Sequence, residues 1–561
     1  MATPPISSVL DAKTQTFPAL SEAQIKRLMP LGTVRKVKVG EVLFQPGTTL
    51  VPFFVVLSGS MEIVQSSLKG ERLIVAHDTR GDFTGELTMI SGRAVLVTGR
   101  VNVAGEFLEL TPEAFRAVIA KDAELSEILM RAFILRRLAL INAGYGNLIL
   151  MGSNHSAHTL RLREFLTRNG QPHNYVDLDT DKDSQELLDR FHISVDEIPV
   201  VICSSSRNVM RNPTVSELAD CLGFNATVDE SQVHDVVVIG AGPSGLAAAV
   251  YAASEGLDVM VIETAAPGGQ AGSSSKIENY LGFPTGVSGQ ELANRATTQA
   301  LKFGAKMMVA HSVESLDCSA RPYKVMLDGG TCLLTRSIVI SSGAQYNKPK
   351  IGNLAKFEGQ GVYYGATFME SQMCGGDDVI VVGGGNSAGQ AAVYMSQATR
   401  KVYMLVRAPE LSSTMSRYLI QRIEENPAIE LHYKTEIIAL GGDTHLESVT
   451  WRDNATGETS THPIRHIFVM TGASPRTDWL KGCLALDPKG FILTGRDVVE
   501  GALQDEGPAW PKTRLPFMLE TSLPGVFAVG DVRSGNVKRV ASAVGEGAIS
   551  IHMVHQVLAE S

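Results

Sequence analysis

Two glycine clusters, at 240–245 and 383–388, have the spacing that brings a phosphate against bare backbone. Residues 234–245 read HDVVVIGAGPSG: an apolar run, then Gly240-x-Gly242-Pro243-Ser244-Gly245. In such a turn the first glycine allows the tight bend, the second lets a pyrophosphate approach, and the third lets the following helix pack closely on the strand. The helix start then points its free N–H groups at the phosphates. A second strand, DVMVIE, ends in Glu263, 23 residues after Gly240, where a carboxylate can accept bonds from ribose hydroxyls. The pattern recurs at 378–388, DVIVVGGGNSA, with Gly383, Gly385, Asn386, Ser387 and Ala388 forming a GxGxxA fingerprint. Its second strand, KVYMLVR, ends in Arg407, 24 residues after Gly383 and in the place of Glu263. A carboxylate there suits a free ribose 2′-OH, whereas a guanidinium suits a 2′-phosphate. Near the end, SLPGVFAVGDV brings Gly530-Asp531 to the end of an apolar strand, where Asp531 is placed to bond a ribityl chain, and Arg539-Val540-Ala541 leads into the last helix. These features assign FAD to the first unit and NADPH, in preference to NADH, to the second.

The elements that must hold these residues are parallel strands covered on both faces, which read as unbroken apolar runs. From about residue 233 to the end, the chain resembles the low-molecular-weight thioredoxin reductases. The pieces are GAGPSG, Gly268-Gly269-Gln270, IENYLGFP with Asn279, GGGNSA, FVMTGASP, and LPGVFAVGD followed by KRVASA. The resemblance implies an FAD domain (233–347 and 472–561) interrupted by an NADPH domain (348–471), and a homodimer. It implies FAD contacts at Ser244, Glu263, Gln270, Asn279, Asp531, Arg539 and Ala541, with Gly343 in the FAD set and Gly472 in the NADPH set.

The resemblance fails at one functional position. Thioredoxin reductases carry a CxxC dithiol just before the second fingerprint. The matching stretch, GVYYGATFME at 361–370, puts Gly365 and Phe368 at the two cysteine positions. Without a thiolate pair the chain has no internal dithiol for reducing thioredoxin. The electron acceptor is therefore open: a quinone, a small disulfide, a redox protein such as an iron–sulfur protein, or oxygen. Tyr363, Tyr364 and Phe368 can be read as shaping a flavin pocket or as core packing. Cys374 can be read as a lone redox thiol or as a structural cysteine. Two rivals to an NADPH:FAD oxidoreductase follow: a disulfide reductase working through Cys374 or a partner's thiols, and a slow flavin-based redox sensor.

The segment 146–226 alternates strands and helices: NLILMG, HTLRLREFLTRNG, HNYVDLD, SQELLDRFHI, IPVVIC and VSELADCLGF. It resembles the thioredoxin/glutaredoxin fold, with Pro199 at the position of that fold's cis-proline. At the usual CxxC site the residues are SNHSAH, so both thiols are missing. His155 and His158 there lack a third ligand or carboxylate and read as loop histidines. A docking or structural module is expected.

Residues 1–142 open with a helical patch, SEAQIKRLM, continue with short strands and glycine turns expected to form an antiparallel roll, and return to helix over 113–137. The order resembles cyclic nucleotide-binding domains, through Gly40-Glu41, Pro46-Gly47, Leu57-Ser58-Gly59 and Gly85-Glu86-Leu87. The resemblance implies a ribose contact at Glu86 and an arginine on the cyclic phosphate. That arginine position falls on Val95, and Arg93 lies two residues early. Losing such a charge-assisted contact costs about 1.5–3 kcal/mol. A cyclic nucleotide held with the help of Arg93 and a ligand-free docking domain both remain open.

The 561 residues, 44% apolar and 19% charged, suit three or four globular domains. The whole reads as a multidomain α/β protein: a β-roll with helices, a thioredoxin-like domain and two nested Rossmann-like domains. A net charge of −9 with no basic run gives no reason to expect nucleic acid or anionic membrane as a partner. No apolar stretch reaches the roughly 18 residues of a membrane span, and the N-terminus lacks a signal-peptide pattern, so a cytoplasmic protein is expected. The six cysteines show no CxxC, the nearest pair being 14 residues apart, and no metal site is expected.

Overall fold

Capping residues and buried apolar runs set the elements of the first half. A computed structural model describes residues 16–560, apart from 68–69, 86–88, 90–94, 96, 143–147, 155, 180–193, 195–196, 204–207, 275, 359, 365, 367–370, 372–373, 481, 503–509 and 512. The chain divides into two compact units, Met1–Thr227 with Thr298–Ala310, and Val228–Thr297 with His311–Ser561.

In the first unit, Ser21 caps the helix Glu22–Leu28 in a reciprocal capping box with Gln24. Two antiparallel sheets follow. One orders Thr33–Val37, Gly105–Leu110 and Phe53–Val56; the other orders Val42–Phe44, Thr98–Val103, Ser60–Ser67 and Gly70–His77. Phe53, Phe83, Phe115 and Phe133 fill the core under the first sheet. The single helix expected over 113–137 is two helices, Pro112–Lys121 and Ala123–Asn142. The break is at Asp122, which is extended, and its carboxylate accepts the N–H of Leu125 at 3.1 Å, capping the second helix.

The middle segment forms a mixed sheet in the order Asn208–Arg211, Val200–Cys203, Leu148–Gly152, Asn174–Asp177. The Ile198–Pro199 bond is cis, as the resemblance implied. The strand Asn208–Arg211 was not expected: NVMR has no alternating apolar pattern and is held by pairing with Val200–Cys203. The expected helix SQELLDRFHI lies outside the described residues.

The second unit is built on Val233–Ile239, which pairs in parallel with Val259–Glu263 on one side and Cys332–Ile340 on the other. Cys332–Ile340 also pairs in parallel with Val526–Ala528 and antiparallel with Tyr323–Leu327. The chain leaves this sheet through Ala344–Tyr346 and returns through Ala473–Pro475, paired antiparallel to it. Between them, Val362–Tyr363, His466–Val469, Asp378–Val382, Lys401–Val406 and Ile429–Tyr433 form a parallel sheet, beside a three-stranded antiparallel one. Among the described residues no helix is long and apolar enough to cross a membrane.

Candidate active site

The first glycine turn is built by close contacts that only glycine permits. Gly240 has φ +101°, and a Cβ there would lie 2.5 Å from the Ser341 carbonyl oxygen. A Cβ on Gly245 would lie 1.9 Å from the Gly240 carbonyl oxygen. Gly242 differs: a Cβ there would meet nothing within 4 Å, so the space beside it is open. Pro243 takes the first position of the helix Pro243–Ser254, where its missing N–H costs nothing. Ser341, which sequence reading did not single out, ties the next strand to the turn by donating to the Ile239 and Gly240 carbonyls at 2.9 and 2.7 Å.

Glu263 is 7% exposed at the end of its strand. Its two oxygens accept the N–H groups of Ala241 (2.8 Å) and Ala265 (3.0 Å), which fixes the carboxylate beside the turn while leaving lone pairs on each oxygen. Gly269 approaches the same turn, a Cβ there lying 3.1 Å from the Gly242 Cα, and Gln270 donates to the Ala344 carbonyl next to Gly343.

From the other end of the chain, Gly530 (φ +72°) meets Ser244: a Cβ at Gly530 would lie 2.5 Å from the Ser244 Oγ. The last helix, Val540–Ala559, packs on Pro243–Ser254 through Gly547, whose Cβ would lie 2.1 Å from the Ser244 carbonyl oxygen. Glu546 accepts the Gly530 N–H at 2.7 Å and pairs with Arg533 at 2.6 Å. Neither Glu546 nor Gly547 was foreseen, although the GEG run inside a helical segment is the local signal of a close approach. Asp531 is half-buried and accepts no hydrogen bond among the described residues. Burial holds its carboxyl above the usual carboxylate range, Lys538 opposing and Glu546 reinforcing the shift. Asn279, Arg539 and Ala541 are exposed and Val540 is half-buried.

The second turn repeats the first. Gly383 (φ +141°) could carry a Cβ only 2.3 Å from the Met470 carbonyl oxygen, and Ala388 is fully buried beside it. Gly385 caps the helix Asn386–Met395. Asn386 accepts the Ser416 N–H at 2.8 Å, and Thr414 donates to the Gly384 carbonyl at 2.7 Å, so a loop absent from the sequence reading holds the turn. Ser387 and Arg407 are exposed, Arg407 directly after the strand Lys401–Val406, and Gly472 accepts the Asn347 N–H at 2.7 Å where the two crossing strands begin.

The candidates for the missing dithiol are placed elsewhere. Cys374 is fully buried in an apolar cluster with Val379, Val381, Met395 and Phe468. Tyr363 stacks on Phe468 at 5.5 Å. Tyr364 donates to Glu358 at 2.5 Å and packs with Phe357 and Val362, its hydroxyl pKa raised by burial and by Glu358. Gly365, Phe368, Glu86, Arg93 and His155 lie outside the described residues. Val95 is 7% exposed in the interior of the roll, and Gly85 is a left-handed glycine (φ +112°). His158 contacts the Pro213 carbonyl at 2.9 Å. Cys203 and Cys221, 18 residues apart in sequence, stand 3.5 Å apart at sulfur. Among the described residues no group of three His, Cys, Asp or Glu could hold a metal ion.

The residues of the first turn fit a dinucleotide: a glycine cradle with open space at Gly242, a fixed carboxylate at Glu263, and a half-buried carboxylate at Asp531 awaiting donors. A family model described as pyridine nucleotide-disulphide oxidoreductase matches residues 234–547, more than half of the chain. The chain belongs to that family and is an FAD-dependent oxidoreductase. Within it the chain is thioredoxin reductase-like: the thioredoxin reductases of Ureaplasma parvum and Treponema pallidum are 30% and 32% identical over 320 residues, 57% of this chain and 95% of each relative. The crystal structure of Lactococcus lactis thioredoxin reductase (FR conformation) has a TM-score of 0.52 at 26% identity, covering 58% of this chain and 100% of that one. The thioredoxin reductase of T. acidophilum gives 0.51 at 27%, covering 58% and 99%. Residues 34–122 match a model described as cyclic nucleotide-binding domain.

Proposed function

We propose that the second unit takes hydride from NADPH onto FAD and delivers the electrons to an acceptor outside the chain rather than to an internal dithiol. The observation that carries this is the pairing of two complete dinucleotide turns with Gly365 and Phe368 in place of the dithiol. FAD, when bound, supplies the hydride acceptor and the electron store. In this reading Gly240, Gly242, Pro243, Ser244 and Gly245 cradle its pyrophosphate, and Glu263 orients the ribose. Asp531 accepts from the ribityl chain. Gly383, Gly385 and Ala388 hold the second pyrophosphate, and Arg407 reads the 2′-phosphate of NADPH. The first unit, in which residues 34–122 match a cyclic nucleotide-binding domain, acts as a regulatory or acceptor-recruiting module.

Anaerobic stopped-flow reduction tests this directly. The flavin absorbance is expected to bleach faster with NADPH than with NADH. Arg407→Ser is expected to raise the KM for NADPH at least tenfold and leave that for NADH unchanged, since a charge-assisted contact is worth about 1.5–3 kcal/mol and each 1.4 kcal/mol is tenfold. Failure of both nucleotides to bleach the flavin would sink the proposal; equal losses for both would remove Arg407 from it.

The burial of Cys374 bears on the rival disulfide-reductase reading. A thiol with no exposed surface cannot meet a disulfide in solution without local unfolding. Cys374→Ala is expected to leave kcat for every acceptor within about twofold of the unmodified enzyme, the loss of the buried sulfur falling on stability instead. A loss confined to disulfide acceptors would restore that reading.

A further inference from the structure

The β-roll of the first unit encloses a pocket with an empty volume of about 730 Å³, its open mouth included. Its walls are apolar: Phe44, Val51, Ile63, Val75, Val95 and Val97. Val95, the position where the cyclic nucleotide-binding pattern calls for an arginine, turns a hydrocarbon surface to this space. The hydroxyl of Thr84, on the same wall, is committed to the backbone of Phe54, accepting its N–H at 3.0 Å.

Among the described residues, one cation enters this space from another element. Arg136, on the helix Ala123–Asn142, lines the pocket and is 7% exposed. Its Nε donates to the Thr16 carbonyl at 2.9 Å, and its Nη1 donates to the carbonyls of Phe83 and Gly85 at 3.1 and 2.9 Å. Its Nη2 has no hydrogen-bond partner among the described residues. The rings of Phe17 and Phe83 lie 5.0 and 4.6 Å from the guanidinium carbon. Buried polar hydrogens are normally paired, so two unpaired N–H groups on a buried cation ask for an anionic acceptor.

We propose that the roll binds a small carboxylic acid with an apolar body, a fatty or aryl acid, whose carboxylate sits on Nη2 of Arg136. A monoanion fits because, among the described residues of the wall, Arg136 offers the one free cationic edge. His77, also on the wall, supplies no second charge: burial and the neighbouring Arg136 push its pKa down to about 3, so it is neutral. Arg136 itself stays charged at neutral pH, burial lowering its pKa only to about 9 with Asp82 opposing. A cyclic nucleotide would instead bring a ribose into a wall without free hydroxyl partners among the described residues, and its phosphate to Val95.

The test uses the full-length protein and isothermal titration with decanoate, 4-phenylbutyrate, decanol, 4-phenylbutanol and cyclic AMP. At least one of the two acids is expected to bind, decanoate at least tenfold more tightly than decanol if it is the one, and cyclic AMP not to saturate. Arg136→Gln is expected to weaken acid binding at least tenfold, and Val75→Trp, which fills the roll, to abolish it. The comparison of decanoate with decanol, and of 4-phenylbutyrate with 4-phenylbutanol, needs no variant and so stands even if Arg136→Gln fails to fold. Equal affinity of acid and alcohol, binding of cyclic AMP in preference to both acids, or no binding by either acid would overturn the proposal.

Discussion

Gly245→Val is expected to yield a colourless protein with NADPH oxidation reduced more than a hundredfold. Even the first carbon of a side chain at this position would fall 1.9 Å from the Gly240 carbonyl oxygen and 2.5 Å from the Ser341 Oγ. Both are parts of the turn that must stay in place, and neither is the flexible end of a long side chain. The helix Pro243–Ser254 would have to lift from the sheet, carrying its N-terminal N–H groups away from the pyrophosphate. Gly242→Ala separates this packing effect from the ligand's own demand. Among the described residues nothing beyond its chain neighbours lies within 4 Å of the added carbon, so the variant should match the unmodified chain in thermal unfolding of the apoprotein. It should nevertheless lose FAD affinity by about tenfold or more if a pyrophosphate fills that space, because only a bare backbone permits the close approach. The measurements are the flavin-to-protein absorbance ratio and the equilibrium affinity of the apoprotein for FAD. A Gly242→Ala protein that binds FAD normally would move the pyrophosphate away from this turn.

Glu520→Ala is expected to lower unfolding stability by about 3 kcal/mol or more, and to release flavin at lower denaturant than it takes to unfold the first unit. The Glu520 side chain has no exposed surface, and its two oxygens accept four bonds. Arg514 donates at 2.7 and 3.0 Å, the Phe517 N–H at 2.9 Å and the Gly525 N–H at 2.8 Å. Removing the carboxylate leaves two backbone donors unpaired and a guanidinium only partly compensated by Glu560. Arg514 is itself held more firmly protonated by these two carboxylates. The effect should reach the cofactor because Gly525 precedes Val526–Ala528, the strand that leads into Gly530 and Asp531. Glu520→Gln keeps the shape and removes the charge, so its loss should be intermediate. Urea unfolding followed by flavin emission and, because Trp451, Trp479 and Trp510 all belong to the second unit, by amide hydrogen exchange in the first unit checks both parts, and coincident, unshifted transitions in Glu520→Ala would refute the coupling of this turn to the site.

The features that could be read from the chain are those made by residues close together in sequence. A buried parallel strand needs an apolar run, a phosphate turn needs glycines at fixed offsets, and the ribose partner must end the next strand; all of these lie within about 25 residues. Val233–Ile239 with Gly240–Gly245, and Asp378–Val382 with Gly383–Ala388, fold as their patterns indicate. The break at Asp122 was missed because an aspartate inside an otherwise apolar-periodic run looks like a solvated helix residue until its carboxylate is seen capping Leu125. The strand Asn208–Arg211 was missed because an edge strand is defined by its neighbour's backbone rather than by its own side chains.

The sequence by itself determined the chemical class: two dinucleotide turns, an acid at one ribose position and an arginine at the other, and the loss of the dithiol. These depend on local backbone geometry and on which side chains are present. Only the tertiary structure decided which distant residues complete the sites. It brought Gly530 and Gly547 onto Ser244 and buried Cys374 among apolar side chains. It also turned Arg136 into the roll, some 40 residues beyond the place where a phosphate-binding arginine is absent. Such contacts arise from close packing between elements far apart in the chain, and no local periodicity encodes which buried donor will be left without a partner.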